Sequence, residues 1–176
     1  MKRKISLFET ASLVKDAILS ANDGIITTFA VVAGAYGANL GHNTVIILGL
    51  ANLIADGISM ASGNFLGVES ENEILKTKQN SKYKLSPAKS GALTFGAFIF
   101  SGTIPLIPYM FFESNTTTFV ESILMVLFSL IMLGFVRGWL TKKSTFRLII
   151  ETVLVGGIAA IAAYSIGYWG DRFLRG

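Results

Sequence analysis

Two acidic side chains lie inside long apolar stretches of this sequence, and they are the first candidates for chemistry. Asp23 stands in NDGIITT (residues 22–28), and Asp56 stands in NLIADGISM (residues 52–60). An ionised side chain at the centre of a membrane helix costs roughly 2.5–3.5 kcal/mol on insertion scales. Neither stretch contains Lys or Arg. A bound cation or proton would therefore offset the cost of each carboxylate.

The surrounding residues place further polar groups on the same helix faces. Asp16 and Asp23 are seven positions apart, two turns of a helix, and share a face. In the second stretch a residue that can act as a ligand recurs every fourth position, at Asn52, Asp56, Met60 and Asn64. If a turn near residues 41–43 joins two antiparallel helices, Asp23 lies level with Met60, and Thr27 with Asp56.

These residue types suit a divalent transition ion. Carboxylate and amide oxygens bind hard ions, and a thioether adds affinity for softer ones, so the mixture favours ferrous iron over magnesium or calcium. A carboxylate in a medium of low dielectric constant also binds a proton more readily. The same residues could therefore exchange a metal ion for protons. The structural alternatives are that Met60 only packs and that the aspartates only join helices.

The composition indicates one integral membrane domain over residues 1–176. The chain is 52% hydrophobic and only 15% charged, whereas soluble domains carry about 25% charged residues. It has no cysteine and a single histidine, His42, which excludes disulfides, zinc thiolate sites and multi-histidine metal sites. No phosphate loop, nucleophile elbow or histidine cluster is present, which argues against an enzyme.

The predicted fold is all-α, with an amphipathic lead-in helix at 5–16 and five transmembrane helices. Each spanning helix needs about 20 mostly apolar residues. The candidate helices cover residues 17–40, 45–67, 91–111, 120–140 and 147–169. Pro105 and Pro108 should break or kink the third one.

The basic residues indicate the orientation. With five spans, three clusters of Lys and Arg fall on one side: residues 2–15, residues 76–89 and residues 137–147. Only Arg172 and Arg175 fall on the other side. The positive-inside rule then predicts a cytoplasmic N-terminus. This distribution explains the net charge of +4 without nucleic acid as a partner.

Small residues predict close helix packing. They recur every fourth position at Ala30, Gly34 and Ala38 in the first helix and at Ala159, Ala163 and Gly167 in the fifth. This spacing lets helix backbones approach closely, either within one chain or between subunits. Because five helices enclose little polar volume alone, we expect a homodimer in the lipid bilayer.

Other charged residues have simpler interpretations. Glu69, Glu71 and Glu73 continue the second helix into the cytoplasm, as a solvated helix end or a weak entry funnel for metal. Glu151 follows Arg147 by four positions, which predicts an ion pair within one helix.

Four segments resemble the vacuolar iron transporter family. They are DAILSANDGIITTFAVVAGAYGA, GLANLIADGISMASGNFLGVESE, SPAKSGALTFGAFIFSGTIPLIPY and GFVRGWLTKKSTFRLIIETVLVGGIAAIAAYSIG. The resemblance implies a dimer with helix one near a central pathway, and proton-coupled movement of ferrous iron, or manganese, out of the cytosol. It implies that Asp23 and Met60 are metal ligands and that Asp16 lies at the cytoplasmic mouth. No permanently bound cofactor is implied.

The sequence departs from that family in two places. Plant and parasite members have a glutamate where this chain has Asn52, and we expect Asp56, one turn on, to take over its role. Those members also carry a long cytoplasmic domain between helices two and three, whereas this link runs only from Glu69 to Lys89 and contains no methionine.

Two other functions stay open on the sequence alone. One is an uncoupled divalent-cation pathway, and the other is a membrane scaffold with a structural polar stripe. The expected location is the plasma membrane in a prokaryote or the vacuolar membrane in a eukaryote.

Overall fold

The computed structural model describes residues 2–77, 85–112 and 116–176, and the described part of the chain is helical. The elements are α1 (Lys2–Gly37), α2 (His42–Thr77), α3 (Pro87–Gly102), a 3-10 turn (Ile104–Leu106), α4 (Ile107–Phe111), α5 (Thr116–Thr141) and α6 (Thr145–Arg175). Five helical segments are long and apolar enough to cross a membrane. The predicted all-α fold with five spans is confirmed, and the chain is a multi-pass membrane protein.

The first two helices are longer than predicted. The expected lead-in at 5–16 is continuous with the first span, because residues 2–23 contain neither Pro nor Gly to break the helix. Helix α2 continues to Thr77 through the glutamates after Gly67. The turn between the two helices occupies residues 38–41 and is closed by Asn39, whose φ of 51° lies in the left-handed region. Asparagine tolerates that conformation better than most residues.

Helix α3 has clear start and stop signals. Ser86 is its N-cap and accepts a hydrogen bond from the backbone N–H of Lys89, and Pro87 takes the first helical position. Helix α3 ends at Gly102, and the 3-10 turn and α4 carry the chain onward past Pro105 and Pro108. The predicted break at the prolines is confirmed. The carbonyl of Pro105 is satisfied by the Ser122 hydroxyl of α5, at 2.7 Å.

Helix α1 lies at the centre of the bundle and packs against α2, α3, α5 and α6. Its contact with α3 is especially close at Gly24, where a Cβ would lie 2.5 Å from the carbonyl oxygen of Phe98. The small residues of α1 and α6 also meet: a Cβ on Gly34 would lie 3.3 Å from the Ala163 carbonyl oxygen, and Gly167 lies against Gly34. The two small-residue stripes therefore pack against each other within one chain.

Helices α5 and α6 form an antiparallel hairpin. Its turn, residues 142–144, lies at the end of the bundle where α1 begins. Arg137 of α5 donates a 2.8 Å hydrogen bond from Nη1 to the Thr152 hydroxyl of α6. Its Nη2 lies 3.7 Å from Oε1 of Glu151. The prediction that Glu151 pairs with Arg147 was wrong, because the hairpin brings Arg137 alongside the α6 residues 151 and 152.

Candidate metal site

Asp23 of α1 and Asp56 of α2 lie close enough within the spanning region for one carboxylate to act on the other. The Asp56 carboxylate acts electrostatically on the Asp23 carboxylate, and both residues are half-buried. Among the described residues, no lysine or arginine forms an ion pair with either side chain. Two like charges close together in a medium of low dielectric constant repel strongly, and a cation or a proton between them relieves that repulsion.

Asn52 fixes the Asp56 carboxylate from the same helix. Its Nδ2 donates a 2.9 Å hydrogen bond to Oδ2 of Asp56, one turn further along α2. This bond leaves the Oδ1 atoms of both residues available as ligands. On α1 the Thr27 hydroxyl donates to the backbone carbonyl of Asp23 at 2.8 Å, so the lone pairs of that hydroxyl stay available to accept. The groups that Asp23, Asp56, Asn52 and Thr27 leave free to accept are therefore all oxygens.

A second polar cluster surrounds Asp16, nearer the start of α1. Asp16 is only 2% exposed and accepts a 2.6 Å hydrogen bond from the Ser90 hydroxyl of α3. Lys15 lies 3.3 Å from the other carboxylate oxygen. Asn64 of α2 donates to the hydroxyls of Ser90 at 2.8 Å and Thr94 at 2.6 Å. Among the described residues, Asp16 is thus the predicted metal-binding carboxylate that has both a hydroxyl donor and a lysine beside it.

A cavity of about 240 Å³ opens between these three helices. It is lined by Asp16, Leu19, Ser20, Met60, Gly63, Asn64 and Thr94. The Met60 thioether therefore lies in the Asp16 cluster, whereas the sequence places it level with Asp23. The turn lies at 38–41 instead of 41–43, and this shift displaces the pairing of α1 with α2 by about one helical turn.

The remaining predicted residues lie apart from both clusters. Glu69, Glu71 and Glu73 are exposed on the last turns of α2, at the end of the bundle where α1 begins. Conversely, Ser90 and Thr94 were absent from the sequence prediction. Their spacing of four positions, which puts two hydroxyls on one face of a mostly apolar helix, was the available signal.

One copy of the chain brings together only part of the ligand set that a metal ion would need. Within residues 2–77, 85–112 and 116–176, no three His, Cys, Asp or Glu side chains come together as a metal-binding group. The Asp23 and Asp56 pair, with Asn52 and Thr27, gives two carboxylates and two neutral oxygens. Iron and manganese commonly take about six ligands, so an ion bound at this pair would need ligands beyond these four groups.

The fold and the site define a class: a polytopic helical membrane protein with two carboxylates in its spanning region that lack basic partners among the described residues. Comparison with known proteins gives the family. The model of the VIT family matches residues 14–85 and 76–168, so the chain belongs to the VIT family. The two matches meet in the link between α2 and α3.

Relatives in plants align over most of their length. Vacuolar iron transporter 1 of Eucalyptus grandis is 25% identical over 94% of this chain and 89% of its own. Vacuolar iron transporter 1 of Arabidopsis thaliana is 26% identical over 90% of this chain and 86% of its own. Vacuolar iron transporter homolog 3 of the same plant is 30% identical over 86% of this chain and 80% of its own. The resemblance to the vacuolar iron transporter family is thereby confirmed.

Proposed function

We propose that this protein moves divalent transition-metal ions, ferrous iron or manganese, out of the cytosol in exchange for protons. The observation that carries the proposal is the Asp23–Asp56 pair, which lies across α1 and α2 without a basic partner among the described residues. The names of the related proteins support iron as a substrate. The oxygen ligands of Asn52 and Thr27 also suit manganese.

The two carboxylates give a physical reason for proton exchange. A divalent ion bound between Asp23 and Asp56 neutralises both charges, and two protons neutralise them equally well. Either form can therefore exist in the low-dielectric interior, whereas the empty, doubly charged form is unfavourable. Exchange of one ion for two protons then keeps the site neutral in both halves of the cycle.

The polar groups form an ordered path toward this pair. The exposed glutamates of α2 lie at the end of the bundle where α1 begins, the Asp16–Met60 cavity follows, and Asp23 and Asp56 lie deeper. The positive-inside rule puts that end in the cytoplasm. We assign the cavity as the entry vestibule, where Met60 contributes a thioether ligand that oxygen sites lack.

A homodimer would complete the coordination sphere. Asp23 is only half-buried on the central helix of the chain, so it remains open on one side. A second copy related by a two-fold axis would present the same side chain and double the number of carboxylates. The small residues Gly34 and Gly167 already pack against each other within one chain, so the interface we propose does not rest on them.

Transport by the purified protein in liposomes tests the proposal. Uptake of ferrous and manganous ions is measured with and without an inside-acidic pH gradient. Uptake driven by the gradient supports the antiporter. Equal uptake in both conditions would identify an uncoupled divalent-cation pathway. No uptake by folded protein would leave the polar stripe as helix-joining structure in a membrane scaffold.

A further inference from the structure

A second, larger cavity lies on the other side of α1, away from Met60. It occupies about 740 Å³ between the first half of α1 and the α5–α6 hairpin. Most of its wall is apolar and is formed by Leu7, Ala11, Val14, Ile18, Leu140 and Val155. A volume of this size far exceeds what a metal ion needs and is within the range of sites for organic ligands. We name it the α1–α5–α6 groove.

A cationic group is built into the groove wall. The Arg137 side chain is 27% exposed, and its one hydrogen bond to the described residues goes to the Thr152 hydroxyl. Its 3.7 Å distance from Glu151 is too long for a hydrogen bond, so the pair is a loose ion pair. Arginine has five N–H donors in a fork that matches phosphate oxygens. Most of those donors are available to a ligand in the groove.

The charge near the α5–α6 turn, at one end of the groove, is positive. Lys15 also lines the groove and is balanced by Asp16, as Arg137 is by Glu151. Lys142, Lys143 and Arg147 follow Thr141, a groove residue, in the turn and first helical turn of α6. Among the described residues these three form no ion pair. The surplus positive charge therefore comes from the turn that follows Thr141 and from the first turn of α6, just outside the residues that line the groove.

We propose that the α1–α5–α6 groove binds an anionic phospholipid. The acyl chain lies along the apolar wall, and Arg137 together with the basic turn residues binds the phosphate. Basic pockets between membrane helices at one bilayer surface suit lipids with anionic headgroups. The groove borders α1 on the face opposite α3, so an occupied groove would fix α1 against the hairpin. This site is independent of the proposed metal transport.

Lipid titration of the detergent-purified, full-length protein tests the site. Native mass spectrometry compares dioleoylphosphatidylglycerol with dioleoylphosphatidylcholine, which have the same acyl chains. The wild type should bind the glycerol lipid more tightly. Arg137→Gln should lose about fivefold in affinity for that lipid alone, the effect of one surface cation. The matched control, Arg172→Gln at the opposite end of α6, should leave both affinities unchanged.

A variant that fills the groove tests the apolar contribution to lipid binding separately from the contribution of charge. Ala11 is exposed to the groove, so Ala11→Phe should weaken the binding of both lipids. If Arg137→Gln fails to fold, Lys142→Gln with Lys143→Gln replaces it and should lose up to about 25-fold in affinity for the glycerol lipid alone, the effect of two surface cations.

Three outcomes would overturn the proposal. Equal affinity for the two lipids would remove the role of charge. Stabilisation by inorganic phosphate equal to that by the glycerol lipid would indicate a site for a free anion. Loss of a dimer in Ala11→Phe, with lipid binding unchanged, would show that a second copy of the chain occupies the groove.

Discussion

Ser90 of α3 donates a 2.6 Å hydrogen bond to the carboxylate of Asp16 on α1. The two residues are 74 positions apart in the chain, and their bond joins the two helices. Asn64 of α2 donates in turn to Ser90. A single chain of hydrogen bonds thus ties together the three helices that enclose the Met60 cavity. A buried network of this kind orients its members strongly when every group is satisfied.

Ser90→Ala should lower the stability of the bundle. The substitution leaves the buried Asp16 carboxylate without its hydroxyl donor, at a cost of about 1–3 kcal/mol. Thermal unfolding in detergent measures the loss, and Ser90→Thr, which keeps a hydroxyl, serves as the control. Unchanged stability in Ser90→Ala would contradict the importance of this bond.

Asn52→Leu should weaken metal binding and leave the fold intact. The change removes the donor that orients Asp56, and a hydrogen bond to a charged group is worth about 1.5–3 kcal/mol. We expect the KM for manganese uptake to rise about tenfold. Asn43→Leu makes the same chemical change at an exposed position in the first turn of α2 and should not alter KM. A normal KM in Asn52→Leu would show that Asp56 needs no such support.

Met60→Leu should change ion preference more than stability. The two side chains have similar volume, so the cost in unfolding free energy should stay below about 1.5 kcal/mol. Loss of the thioether should reduce ferrous iron uptake relative to manganese uptake, because sulfur favours the softer ion. Competition between the two ions in liposomes measures the ratio. Met125→Leu, at an exposed position on α5, is the control, and an equal ratio in both variants would assign Met60 to packing.

Gly24→Ala should destabilise the contact between α1 and α3. Its new Cβ would lie 2.5 Å from the Phe98 carbonyl oxygen, and the backbones must separate to accept it. Overpacking of this kind costs about 1–3 kcal/mol. Gly96→Ala is the matched control, because nothing lies within 4 Å of its Cβ position. That helical substitution should instead raise stability by up to about 1 kcal/mol. Equal melting temperatures would contradict the close approach.

Periodicity and composition predicted the helices and the polar faces of α1 and α2, because membrane spans impose both. The predicted register of α1 against α2 was displaced by one helical turn. The chain reverses at residues 38–41, where Asn39 has a left-handed conformation, and an apolar pattern does not encode the position of that reversal. The vestibule residues of α3 were missed for a different reason. Hydroxyl side chains in membrane helices often bond their own backbone, as Ser101 does to Ala97, so Ser90 and Thr94 carried little signal.

Partners across helices are likewise invisible in a linear pattern. Glu151 has Arg147 at the ideal spacing within α6, yet its closest cation is Arg137 on the neighbouring helix. The sequence predicted Asp23 and Asp56 as members of one site, because neither has a basic residue nearby in the sequence, but it placed Asp23 level with Met60 and Asp56 level with Thr27. The number of ligands to a bound metal ion could not be predicted from the sequence, because it depends on how many copies of the chain surround the ion.

The most direct test of the proposed exchange measures manganese uptake into liposomes under an inside-acidic pH gradient. It compares the parent with Asp23→Asn, Asp56→Asn and Asp171→Asn, the last being a control that removes a carboxylate paired with Arg175 at the end of α6. We predict that either of the first two changes abolishes gradient-driven uptake in folded protein and that Asp171→Asn does not. Full uptake by folded Asp23→Asn and Asp56→Asn would contradict the account.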